Sequence, residues 1–122
     1  MRRITRVLAA ALSIALGAQT AHGHANLLQC SPAAGSVVMT APQEIRLKFN
    51  EPVAVKLSGV DVTTQEGGKI AAGPVEAVSD DRTELAVPIK GALSPGTYLV
   101  RWHVVSADMH KIKGDFVFEV RP

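Results

Sequence analysis

Short runs in which apolar and polar residues alternate recur from Glu44 to Val120, each closed by a turn signal, and no helical stripe interrupts them. Ile45, Leu47 and Phe49 share one face of the run Glu44 to Phe49, and Val60 and Val62 mark the run Leu57 to Thr63. Leu85 and Val87 mark Thr83 to Ile89, and Phe116, Phe118 and Val120 alternate in the last run, Asp115 to Val120. Between them stand Ser31-Pro32-Ala33-Ala34-Gly35, Gln65-Glu66-Gly67-Gly68 and Leu93-Ser94-Pro95-Gly96. A period of two is that of a pleated strand with one face buried. Strands spaced by roughly 8–12 residues point to an all-β sandwich. Thr97 to Ser106 is read as the longest strand. It puts Tyr98, Val100, Trp102 and Val104 on a core face and Leu99, Arg101, His103 and Val105 on the other. Tyr98, two residues after Pro95-Gly96, sits where a tyrosine corner would tie its hydroxyl to an upstream backbone group.

A chain of 122 residues is one domain. Its 47% hydrophobic and 20% charged residues exclude a disordered polymer, and a net charge of +2 leaves no footprint for nucleic acid. The five aromatic residues, all on expected strands, make no platform for sugars or bases. The single cysteine, Cys30, excludes an intramolecular disulfide framework and a thiolate-rich zinc site.

Residues 1–23 read as a secretory signal. Arg2, Arg3 and Arg6 precede an apolar run from Val7 to Ala18, and Ala21-His22-Gly23 puts small residues where a signal peptidase cuts. A membrane anchor is the alternative, but twelve residues rise only about 18 Å as a helix against roughly 30 Å of hydrocarbon. A cut after Ala25 is also chemically allowed, and Leu27-Leu28-Gln29-Cys30 is a poor lipidation site. Cutting after Gly23 leaves residues 24–122, with ten basic against eleven acidic side chains, as a nearly neutral exported domain beginning at His24.

That start matters for chemistry. A free α-amine (pKa roughly 7.7–8.0) and an imidazole (roughly 6.5) both shed protons near neutrality. Through the amine and Nδ1, an N-terminal histidine closes a six-membered chelate that no interior histidine can form. A second imidazole from elsewhere completes a histidine brace. Asp108 and His110, two apart in Ser106-Ala107-Asp108-Met109-His110, offer that imidazole and a carboxylate. If extended, the two project from one side of the chain. Three nitrogens and an oxygen suit one tetragonal Cu(II) ion, with zinc behind it in the Irving–Williams order. A lone Asp-x-His in a loop is ordinarily a solvated turn, so the pairing with His24 carries the reading. His103 is expected on the sheet surface, Met39 in the core, Met109 turned away from the ligands, Cys30 half-buried and inert, and Asp80-Asp81 in a solvated turn. No nucleophile elbow or Cys–His pairing emerges.

These residues resemble a known family. His24-Ala25-Asn26-Leu27-Leu28, Ser31-Pro32-Ala33-Ala34-Gly35-Ser36, Leu47-Lys48-Phe49-Asn50-Glu51, Leu57-Ser58-Gly59, Leu93-Ser94-Pro95-Gly96-Thr97-Tyr98 and Trp102-His103-Val104-Val105-Ser106-Ala107-Asp108-Met109-His110, then Gly114, resemble the CopC/PcoC periplasmic copper-binding proteins. The last segment, with Lys111 and Lys113, looks like the YobA branch. The resemblance implies a Greek-key β-sandwich of immunoglobulin-like or cupredoxin-like class, in the periplasm, binding one Cu(II) ion through His24, Asp108 and His110, with Glu51 as a neighbour. It implies copper resistance or homeostasis, with delivery to a CopD-type inner-membrane transporter, and a binding module rather than an enzyme. The rivals are a histidine-brace copper monooxygenase and a metal-free structural sandwich. The sequence departs from the family's founding members in having no methionine from Val53 to Val75, where they carry a Cu(I) loop.

Overall fold

The computed structural model describes residues 25–122, so the expected leader, 1–23, and His24 lie outside the described residues. Eight strands and one 3-10 turn follow in order: β1 (Leu27–Ser31), β2 (Val37–Val38), β3 (Glu44–Phe49), the turn Val55–Leu57, β4 (Gly59–Thr64), β5 (Glu76–Ala77), β6 (Glu84–Pro88), β7 (Gly96–Val105) and β8 (Lys111–Val120). They form two four-stranded sheets, β1-β3-β6-β5 and β2-β8-β7-β4. The chain passes between the sheets after β1, β2, β3, β4 and β6, and this is the Greek-key sandwich the family resemblance implies.

The alternation read from the sequence sets the inner faces. Ile45, Leu47 and Phe49 of β3 are buried, as are Leu85 and Val87 of β6. Opposite them stand Tyr98, Val100, Trp102 and Val104 of β7 with Phe116, Phe118 and Val120 of β8. Burying these two apolar faces against each other is the main driving force for the fold. Phe49 meets Trp102 edge-on across the sheets, ring centroids 5.3 Å apart, and Tyr98 stacks on Phe118 at 5.5 Å. The Tyr98 hydroxyl donates to the Ser94 carbonyl at 2.6 Å, making the expected corner.

Three expectations need correction. β8 begins at Lys111, four residues before the sequence reading, and equals β7 in length. The polar Lys111-Ile112-Lys113-Gly114 hides it because Gly114 brings no side chain to the inner face. The Trp102 ring fills that space, so a Cβ at Gly114 would lie 2.4 Å from Trp102 Cζ2. Val105, on the outer face, is buried because residues 53–57 fold over it, with the Ala54 amide donating to the Val105 carbonyl at 2.9 Å. Met39 is 77% exposed, not core: it follows a strand of two residues that pairs only with the end of β8. The two-residue strands β2 and β5 are too short to show any period.

The β7–β8 hairpin runs the length of the sandwich, from Gly96 opposite Val120 to Val105 opposite Lys111. Its loop sets one end of the molecule, and the candidate ligands Asp108 and His110 lie there.

A candidate metal centre at the hairpin end

The 106–110 loop closes through its backbone. The Ser106 amide donates to the His110 carbonyl and the Met109 amide to the Ser106 carbonyl, both at 2.9 Å. Met109 has φ +67°. A tight turn followed by one left-handed residue is a common hairpin closure, and glycine usually fills the left-handed position. Methionine there is strained by roughly 1–2 kcal/mol. The turn replaces the extended geometry expected for Asp108 and His110, and it brings their side chains together. Oδ2 of Asp108 lies 2.5 Å from Nδ1 of His110. Met109, between them, is 68% exposed and turned outward, as expected.

Ser106 lies beneath this pair. It is 1% exposed and is the buried polar residue among the described residues. Its hydroxyl donates to Oδ1 of Asp108, and the His110 amide reaches the same oxygen at 3.4 Å. The Asp108 carboxyl is lowered to about 2, first by the Ser106 hydroxyl, against a smaller opposing effect of desolvation, and then by His110. It is ionised through the neutral and mildly acidic range.

The start of the described chain reaches the same end of the sandwich. Ala25 is buried. The Asn26 amide donates to Oδ1 of Asn50 at 2.7 Å, and the Asn50 amide returns a bond to the Asn26 carbonyl at 3.1 Å. These bonds extend the β1–β3 ladder beyond Leu27 and Phe49. From Asn50 the chain passes half-buried Glu51 and exposed Pro52 to Val53, which bridges Ser106. Val53 also donates its amide to the Arg82 carbonyl at 3.0 Å, so the 79–83 turn joins this end.

In that turn Asp81 Oδ1 accepts from the Ser79 hydroxyl at 2.5 Å and from the Thr83 amide and hydroxyl at 3.1 and 2.8 Å. The Ser79 bond is the main cause of its lowering to about 2. Asp80 and Asp81 thus occupy the expected turn.

The structure therefore brings Asp108 and His110 together, with His24 outside the described residues. Among the described residues no three His, Cys, Asp or Glu side chains converge as a metal cluster. The pair itself suits a divalent ion. Cis donors at about 2.0–2.1 Å from a tetragonal ion lie about 2.9 Å apart, so Nδ1 and Oδ2 need to part by only a few tenths of an ångström to share one. His103 is exposed on the outer face of β7, its ring lying over Gly59, as read from the sequence. Cys30 is half-buried, and burial pushes its thiol up.

Sequence reasoning missed Ser106, Val53 and the Asn26–Asn50 clamp. The available signal was the Ser-x-Asp spacing, which occurs at Ser79-Asp80-Asp81 and again at Ser106-Ala107-Asp108.

Comparison with known proteins gives a consistent answer. The CopC domain family matches residues 27–121. Protein YobA of Escherichia coli K12 is 40% identical over 119 residues, covering 98% of this chain and 96% of that protein. Copper resistance protein C of Xanthomonas campestris pv. juglandis is 34% identical over 115 residues, covering 90% of each chain. The crystal structure of PcoC, described as a methionine-rich copper resistance protein from Escherichia coli, superimposes with a TM-score of 0.72 at 35% identity, covering 80% of this chain and 99% of that one.

Proposed function

This chain belongs to the CopC family, and from that premise we propose that it is a periplasmic Cu(II)-binding protein of copper resistance or homeostasis. Asp108 and His110 hold one Cu(II) ion as cargo, together with the α-amine and imidazole of His24 once the leader is removed after Gly23. The observation that carries the reading is the Oδ2–Nδ1 pair, assembled at the end of the sandwich where the described chain begins. An imidazole and a carboxylate held ionised match the borderline-hard character of Cu(II). Cu(I) favours thioethers. Met39 and Met109 are both exposed and stand in different parts of the fold, and residues 53–75 hold no methionine, so the reading is of a single Cu(II) site. The protein carries the ion to a CopD-type transporter of the inner membrane and performs no chemistry on it. All five aromatic side chains are buried, which leaves no aromatic surface for the polysaccharide that a histidine-brace monooxygenase would grip.

The test is a Cu(II) titration of the exported protein, with the mass of its N-terminus measured alongside. A start at His24, one ion per chain, and weaker binding with an altered visible spectrum in His110→Ala are expected, while His103→Ala does little. A start at Ala25 or Asn26 removes the chelating amine and overturns the brace. Equal losses from the two histidine variants would assign the wrong imidazole.

A further inference from the structure

We propose that Ser106 is a positioning residue of the metal centre: its hydroxyl captures Oδ1 of Asp108, so that Oδ2 is the oxygen turned to His110 Nδ1 and to an incoming Cu(II) ion. The inference rests on the copper-binding reading above. Three observations carry it. First, the turn does not need the hydroxyl. The Ser106 amide and carbonyl already close the hairpin, at 2.9 Å each. Second, the hydroxyl is buried in a residue that is 1% exposed, so it must find a protein partner, and its bonds go to Asp108 Oδ1 and, at 3.3 Å, to the His110 carbonyl. Third, the chain contains a matched case. The Ser79–Asp81 turn has the same spacing and is likewise followed by a left-handed residue, Arg82 at φ +58°. Its side-chain and amide bonds also fall on Oδ1. In both turns one carboxylate oxygen satisfies the backbone and hydroxyl donors. Only in the 106–110 loop does the second oxygen meet an imidazole, at 2.5 Å.

Pinning one oxygen makes Asp108 a one-oxygen donor with a fixed direction. In the metal-free protein, a carboxylate hydrogen bond at Nδ1 also selects the imidazole tautomer protonated there. A Cu(II) ion held between Nδ1 and Oδ2 would take the place of that proton, Nδ1 giving it up as Nε2 takes one from solvent, so that the ring stays neutral.

The experiment compares the exported wild-type protein with Ser106→Ala and, as a control of equal chemistry in the other turn, Ser79→Ala. Without metal, at one fixed pH near 7.5, nitrogen-15 NMR of the His110 ring is expected to show the Nδ1–H tautomer in wild type and Ser79→Ala, and to lose that preference in Ser106→Ala. With Cu(II), competition against a chromophoric chelator is expected to show a loss of roughly 10-fold or more for Ser106→Ala. Its copper EPR spectrum should change, and Ser79→Ala should match wild type in both. An unchanged tautomer in Ser106→Ala overturns the proposal. So does a changed tautomer with affinity within twofold and an unaltered EPR spectrum, or an equal loss in both variants, which would reduce Ser106 to a structural role. If His110→Ala binds Cu(II) like wild type, the copper reading fails instead, and the metal-free tautomer still decides whether Ser106 positions Asp108.

Discussion

Val53 pairs with Ser106 in an isolated antiparallel bridge, and through it the stretch that leaves β3 is tied to the loop that joins β7 to β8. The first leads from one sheet to the other, and the second closes a hairpin within one sheet. One residue, using its bridge to Ser106 and its amide bond to Arg82, gathers three separate stretches of sequence at one end of the sandwich.

Copper affinity is expected to fall on acidification, and the loss belongs to nitrogen donors. Asp108, drawn down to about 2 by the Ser106 hydroxyl, stays ionised across the working range and supplies none of the slope. Protons compete with the metal for the imidazole and amine nitrogens instead. Chelator competition from pH 8 to pH 5 checks this, and a flat affinity over that range would contradict it.

Asp81 and Asp108 are expected to contribute to the pH dependence of the metal-free fold. Both carboxyls fall from 3.8 to about 2 in the folded protein. A depressed folded value stabilises the protein above the unfolded pKa, and that stabilisation is lost as pH falls through the folded one. Urea midpoints followed by Trp102 fluorescence are therefore expected to hold down to about pH 4 and to drop between about pH 4 and pH 2. Asp81→Asn should flatten part of that drop. Both groups lie near the surface, so added salt should shrink the effect.

Gly114→Ala and Gly59→Ala are expected to differ. A Cβ at Gly114 meets Trp102 Cζ2 at 2.4 Å, and that ring is buried and packed edge-on against Phe49. Overpacking of this kind costs about 1–3 kcal/mol. A Cβ at Gly59 meets His103 Cε1, also at 2.4 Å, but this ring is exposed and can swing away. The penalty should be smaller and should vanish in Gly59→Ala/His103→Ala, as a double-mutant cycle by urea denaturation would show.

Tyr98→Phe removes the hydroxyl bond to the Ser94 carbonyl and keeps the stack on Phe118. The expected cost is about 1 kcal/mol, read as a shift of the urea midpoint with the slope unchanged.

The sequence carried the sandwich wherever a strand was long and had one wet face. β3 and β7 show the period plainly, and the Tyr98 corner was legible from Pro95-Gly96 alone. The first half of β8 was not, because a glycine that yields its space to an indole removes the apolar beat. β2 and β5 have two residues each, and no period fits in two. At the site, residue type and spacing identified Asp108 and His110, whose chemistry is intrinsic. Ser106 and Val53 went unread because their roles arise only from contacts made in the fold: a hydroxyl buried under a carboxylate, and a valine reaching across to another sheet.

The register of the β7–β8 hairpin has a practical consequence. Gly96 faces Val120 at one end and Val105 faces Lys111 at the other, nine residues away, and Arg121 is pinned by its amide to the Val38 carbonyl at 2.9 Å. At about 3.3 Å per residue, Pro122 leaves the body roughly 30 Å from the 106–110 loop. An affinity tag, a fluorophore or a surface tether placed after Pro122 would leave the opposite pole open to solvent, so this domain can be immobilised from that side without masking the loop.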